Sequence, residues 1–187
     1  MVDITIVNFS GKNGFGNCSR IADYIFEKYK KKNVINVIKY SDYSVLPCGK
    51  CDYTCLEPDV YNCDFEDETS KIYKIIGKCD IAFLLVPIYS DYPCSNYFIF
   101  RERSQAIAND EIFNLYCNTQ KCFIFIANTG KKNLLNIVET EPGINNQYII
   151  LSTHDFGTKG YNGDLIESDE CKSQLENFIN KYILSFK

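Results

Sequence analysis

The sequence has little of what would mark a membrane protein, a nucleic-acid binder or a side-chain hydrolase. No apolar run approaches the ~20 residues that a membrane-spanning helix needs. The opening stretch MVDITIVNF carries an acid at Asp3 and neither the basic leader nor the cleavage site of a secretory signal, so a cytoplasmic protein is expected. Positive charge is not in excess: 20 Lys and Arg face 24 Asp and Glu, a net charge of −4, and nothing suggests a nucleic-acid partner. The one basic run, KYKKK at 28–32, is expected to solvate the end of a helix. There is a single histidine, His154 in STHDFG, expected as a loop or packing residue. Nothing else resembles a nucleophile–base arrangement. Neither the G-x-G-x-x-G nor the G-x-x-x-x-G-K-[ST] fingerprint occurs, which excludes the standard dinucleotide and nucleoside-triphosphate loops. No linker, repeat or low-complexity stretch divides the 187 residues, so 1–187 reads as one domain, with 41–66 as a cysteine-bearing insertion loop.

Apolar, β-rich segments are plentiful. VDITIVNF (2–9), IAFLLVPIY (81–89), CFIFIAN (122–128) and QYIILST (147–153) are near-continuous rather than alternating, the pattern of parallel strands buried on both faces. VINVIKY (34–40) is more polar and reads as a strand nearer an edge. Helical stripes lie between them: Ile21, Ala22, Ile25 and Tyr29; Ile72, Ile75 and Ile76; and Leu175, Phe178, Ile179, Tyr182 and Ile183. Ser168 is placed to cap the last helix, with Asp169 and Glu170 in its first turn. Alternating strands and helices predict a doubly wound α/β domain with a five-stranded parallel sheet in the order 2-1-3-4-5. Ligands then bind beyond the carboxyl ends of the strands, where the order reverses, which selects loops 9–19, 87–95 and 128–133.

The first loop, FSGKNGFGNCSR, has three glycines, two asparagines, two serines and a lysine between a strand and a helix. Free amides at a helix N-terminus suit a monophosphate, with Ser10, Asn17 and Ser19 as side-chain donors and Lys12 as a positive charge. In the second loop Pro87 and Pro93 stiffen the chain, and Tyr89 and Tyr92 offer flat faces for an aromatic ring system. Asn128, Thr129 and Gly130 in the third are placed to hydrogen-bond the polar edge of a planar heterocycle.

In order and spacing, NFSGKNGFGNCS, PCGKCDYTC and NCDFEDETSKIYKIIGKCDIAFLLVPIYSDYP resemble the flavodoxin-like NAD(P)H-dependent FMN reductases, especially the branch that includes the iron–sulfur flavoproteins. The resemblance covers about residues 2–130, and the remainder follows by pattern. It implies FMN, its phosphate held by Ser10, Lys12, Asn17, Cys18 and Ser19 and its ring lined by Pro87, Ile88, Tyr89 and Ser90. Lys12 stands where the family commonly has arginine, Cys18 replaces threonine, and the loop is one residue longer. The implied activity is an oxidoreductase that takes hydride from NADH or NADPH and passes electrons to a quinone, flavin, metal or redox-protein acceptor. A homodimer is implied as well. The alternatives are an electron carrier without nicotinamide turnover and a binding module that has lost FMN.

Ten cysteines are many for a reducing compartment, where thiols and metal ligands are expected before disulfides. Cys79, Cys117 and Cys122 flank apolar runs and read as small buried hydrophobes. Cys48, Cys51, Cys55 and Cys63 form a C-x2-C-x3-C-x7-C cluster, which could ligate an iron–sulfur cluster or a zinc ion, or hold a redox pair. The iron–sulfur flavoproteins have two residues, not three, before the third cysteine. That extra residue favours the reading without metal.

Overall fold

The computed structural model describes every residue except Asn13, Lys50, 58–62, Asp64, Asn109, Asp110, Ile144 and Lys187. The parts of the phosphate-loop and cysteine-loop readings that fall on these positions lie outside the described residues. In chain order the elements are β1 (Asp3–Asn8), α1 (Asn17–Tyr29), β2 (Val34–Lys39), α2 (Thr69–Gly77), β3 (Ile81–Tyr89), β4 (Tyr92–Pro93), α3 (Ser95–Glu102), α4 (Glu111–Asn118), β5 (Gln120–Ala127), α5 (Leu134–Glu139), β6 (Gln147–Ser152) and α6 (Asp169–Leu184).

The sheet runs β2-β1-β3-β5-β6, all parallel, which is the expected order for the five long strands. Every residue of β3 except Tyr89 is buried, whereas in the edge strand β2 only Ile38 is. The central strands therefore send alternate side chains into two separate cores. Val7, Leu84, Val86, Phe123 and Phe125 meet Ile72, Tyr73, Tyr97, Phe100 and Tyr116 on the face covered by α2, α3 and α4. Ile4, Ile6, Phe83, Leu85 and Ile124 meet Ile21, Ile25, Leu175, Ile179 and Ile183 on the face covered by α1 and α6. The α6 cap is as expected: the Ser168 hydroxyl accepts from the Cys171 amide at 3.3 Å. Of the three cysteines read as buried, Cys79 and Cys122 are, but Cys117 is only half-buried. It sits in α4, on a helix face that turns partly to solvent.

The two-residue strand β4 was not expected. It folds back antiparallel on the end of β3, pairing Tyr92 with Tyr89 and Pro93 with Ile88. The turn residues Ser90 (φ 48°) and Asp91 (φ 70°) are both left-handed, a conformation for which Asn-Gly is the usual sequence signal. Asp91 compensates by accepting from the Lys132 amide at 3.1 Å.

Candidate functional site

Strand order reverses between β1 and β3, and a cavity of about 540 Å³ opens there, at the carboxyl ends of β1, β3, β5 and β6. That size suits a cofactor or small ligand. Its first wall is the β1–α1 loop: Ser10, Lys12, Gly16, Asn17 and Cys18. Asn8, buried at the end of β1, shapes this loop. Its Oδ1 accepts from the Ser10 amide at 2.9 Å and its Nδ2 donates to the Ser19 hydroxyl at 3.2 Å. Gly16, the N-cap of α1, offers no side-chain cap, and the first turn carries no acid. The helix therefore presents its N-terminus to the cavity with its partial positive charge uncompensated. The stem of Lys12 lies across Gly16, 3.8 Å from where a Cβ there would stand, and Lys12 lines the cavity beside the helix end.

The second and third walls are Pro87, Ile88 and Tyr89 from β3, and Ile126, Ala127 and Asn128 from β5. The Thr153 hydroxyl donates to Asn128 Oδ1 at 2.6 Å, which leaves the Asn128 amide N–H groups as its donors toward a ligand. Burial, with the nearby Cys94, pushes the Cys18 thiol up to about 12, so it faces the cavity as a neutral group.

The fourth wall was not anticipated. Thr153, Thr158, Lys159, Gly160 and Tyr161, from the loop after β6, complete the lining of the cavity. Asn17 docks this loop on the start of α1: its Oδ1 accepts from the Leu165 amide at 3.0 Å and its Nδ2 donates to the Gly160 carbonyl at 3.4 Å. Arg20 adds a 2.7 Å bond to the Gly163 carbonyl and an ion pair with Glu167.

Several expected site residues stand outside the cavity lining: Ser19, Ser90, Tyr92, Thr129 and Gly130. Ser19 is the acceptor for Asn8. Gly130 instead packs on the β3–β4 turn, where a Cβ would come within 2.6 Å of the Asp91 carboxylate. His154, expected as a loop residue, is exposed in the fourth-wall loop without lining the cavity, its ring 3.7 Å from Asp155.

The cysteine cluster lies elsewhere. Cys48, Cys51, Cys55 and Cys63 line one small cavity beside Glu102 and Arg103 of the segment following β4. Arg103 is buried and pairs with Asp67 at 3.1 Å. Burial pushes the Asp67 carboxyl up, but hydrogen bonds from the Thr69 hydroxyl and the Leu46 and Thr69 amides, with the Arg103 guanidinium, hold it below the usual carboxylate range. A carboxyl depressed in the folded state contributes stability above its unfolded value of about 3.9, and loses it as pH falls through the folded value. Urea midpoints of wild type and Asp67→Asn should therefore differ at neutral pH and converge below about pH 4. A constant gap down to pH 2 would contradict this assignment.

No family model matches the sequence, and no curated protein sequence matches it. Solved structures do match in three dimensions. RosB with bound 8-demethyl-8-formylriboflavin-5′-phosphate has a TM-score of 0.60 at 14% identity, over 95% of this chain and 81% of that one. The flavoenzyme NAD(P)H:(acceptor) oxidoreductase FerB from Paracoccus denitrificans has 0.57 at 11% identity, over 97% of each chain. Oxidised flavodoxin 1 from Bacillus cereus has 0.50 at 12% identity, over 95% of this chain and 97% of that one. At these identities the likeness establishes the flavodoxin-like fold.

Proposed function

We propose that the cavity at the β1–β3 switch point binds FMN and that the protein is an NAD(P)H-dependent flavin oxidoreductase with a small-molecule acceptor. The observation that carries this reading is the uncapped, acid-free N-terminus of α1 opening on the cavity together with Lys12. Such an end is an anion site, and a cofactor phosphate fits it. The residues present also fit the rest of the group. Tyr89 gives an aromatic face, Pro87, Ile88, Ile126 and Ala127 give an apolar floor, and Asn128 gives donors for a polar ring edge. The names of the structural neighbours, two of them linked to flavin chemistry, support the same reading.

Bound FMN would supply hydride acceptance from a nicotinamide and onward electron delivery. The chain's own residues bind and orient. The amides of Asn17 and Cys18 with Lys12 would hold the phosphate, the Gly16 amide being bonded to the Gly14 carbonyl at 3.1 Å, and the Ser10 hydroxyl, whose oxygen accepts from the Lys12 amide at 3.2 Å, keeps its proton to donate outward. Lys159, from the loop after β6, is a second lysine in the cavity lining. Asn17 contributes its backbone, because its side chain is committed to the fourth wall. Ser19 accepts from Asn8 Nδ2 at 3.2 Å and stands outside the cavity lining.

Within this reading the protein acts as a homodimer in the cytoplasm. Among the described residues no helix is long and apolar enough to cross a membrane.

Tyr89 is half-exposed at the rim, so its ring is free to cover a flavin face. Tyr89→Ala should weaken FMN binding about tenfold, on the order of 1 kcal/mol for a lost aromatic pair, without lowering the melting temperature. Fluorescence titration of FMN measures this, and unchanged affinity would sink the stacking role. Consumption of NADH or NADPH with a quinone or ferric acceptor distinguishes the oxidoreductase from an electron carrier.

A further inference from the structure

The cysteine cavity is small. At about 10 Å³ it has room for roughly one water-sized sphere. A core of four irons and four sulfides does not fit it, so the residues do not match an iron–sulfur cluster. All four cysteines nevertheless line the same space. Gly49 (φ 135°) and Tyr53 (φ 58°) turn the chain between the first three cysteines, and the Cys48 amide is pinned to Glu102 Oε1 at 2.7 Å. One cation is built in beside them. Arg103, 2% exposed, donates to Cys63 Sγ at 3.2 Å and to Asp67 at 3.1 Å.

We infer that Cys48, Cys51, Cys55 and Cys63 form a site for one soft divalent metal ion of the zinc class, separate from the FMN cavity. Four thiolates around a single ion are a complete tetrahedral set, and no histidine is needed. A zinc ion with four thiolates carries a net charge of −2, and a guanidinium held against one sulfur offsets part of it. As they stand, no three His, Cys, Asp or Glu side chains among the described residues are grouped to hold an ion. Binding therefore draws the four thiols together across the cavity beside Arg103, and four thiol protons leave to solvent. The site is structural: all four positions are filled by protein, with none left for substrate.

The test uses the full chain, purified anaerobically and then loaded with Zn²⁺ or Co²⁺. The expected result is one zinc per chain by elemental analysis, and for cobalt the thiolate charge-transfer and visible bands of a tetrahedral four-sulfur site. Cys55→Ser should lose these bands while its FMN affinity stays within about twofold of wild type. Iron and acid-labile sulfide in equal amounts would overturn the inference in favour of a cluster. Failure to bind either ion, or bands unaltered in Cys55→Ser, would overturn it outright. Because FMN affinity is read separately, failure here and failure of the flavin reading remain distinguishable.

Discussion

Gly163→Ala should strip the protein of most of its FMN affinity and lower its stability by on the order of 3 kcal/mol. Gly163 has φ +71°, and a Cβ there would stand 2.0 Å from the Phe15 carbonyl oxygen, with the Arg20 side chain also within 3.2 Å. The contact is backbone against backbone, so no side chain can rotate away. Relief requires the loop after β6 to separate from the β1–α1 loop. Those two loops are the fourth and first walls of the cavity, and the Asn17 and Arg20 bonds across their junction would be lost together. Gly157→Ala is the control. Its φ of +63° is equally left-handed, but nothing lies within 4 Å of the added methyl, so only backbone strain of about 1 kcal/mol is expected. Chemical denaturation and FMN titration of both variants decide the matter. Equal effects would show that the junction does not set the cavity.

The second large effect lies away from the cavity. Glu141 is buried and accepts from the Tyr97 hydroxyl at 2.6 Å and from the Tyr116 hydroxyl, with Arg101 Nε at 4.0 Å. Lys121, itself fully buried, packs over the Tyr116 ring at 4.3 Å and bonds the Tyr116 carbonyl at 2.8 Å. Burial pulls the Lys121 amine down to about 8, while Glu141 acts to hold it up. Glu141→Ala would orphan two tyrosine hydroxyls and leave the lysine without its nearby carboxylate. A loss of about 3–5 kcal/mol is expected, against distinctly less for Glu141→Gln, which keeps an acceptor in place. Urea unfolding measures both. FMN affinity in the folded fraction should be unchanged, because none of these residues lines the cavity.

Much of the fold was legible because the central strands are buried on both sides and so cannot hide their apolar runs. Ile81 to Ile88 is an example: continuous burial demands continuous apolarity. The edge character of β2 was legible for the converse reason. The phosphate loop was legible from its glycines, but not the division of labour within it. Whether Asn17 faces a ligand or a neighbouring loop depends on where residues 160–165 lie, some 143 positions away in sequence. The fourth wall escaped for the same reason. Thr153, Thr158, Lys159 and Tyr161 have no periodicity and no motif, and only the docking of their loop on Asn17 and Arg20 of α1 brings them to the cavity. The β4 hairpin escaped because Ser90 and Asp91 adopt left-handed conformations that side chains other than glycine and asparagine seldom advertise. Gly130 packs against Asp91 in the turn of that same hairpin instead of lining the cavity.

The most direct test of the account is equilibrium titration of the purified protein with FMN, followed by flavin fluorescence and visible absorbance. One FMN per chain, with fluorescence quenched by Tyr89 and affinity weakened by high salt at the Lys12 end, is the predicted result. Absence of saturable binding, or binding equally tight for riboflavin without its phosphate, would contradict the assignment of the α1 N-terminus as the phosphate site.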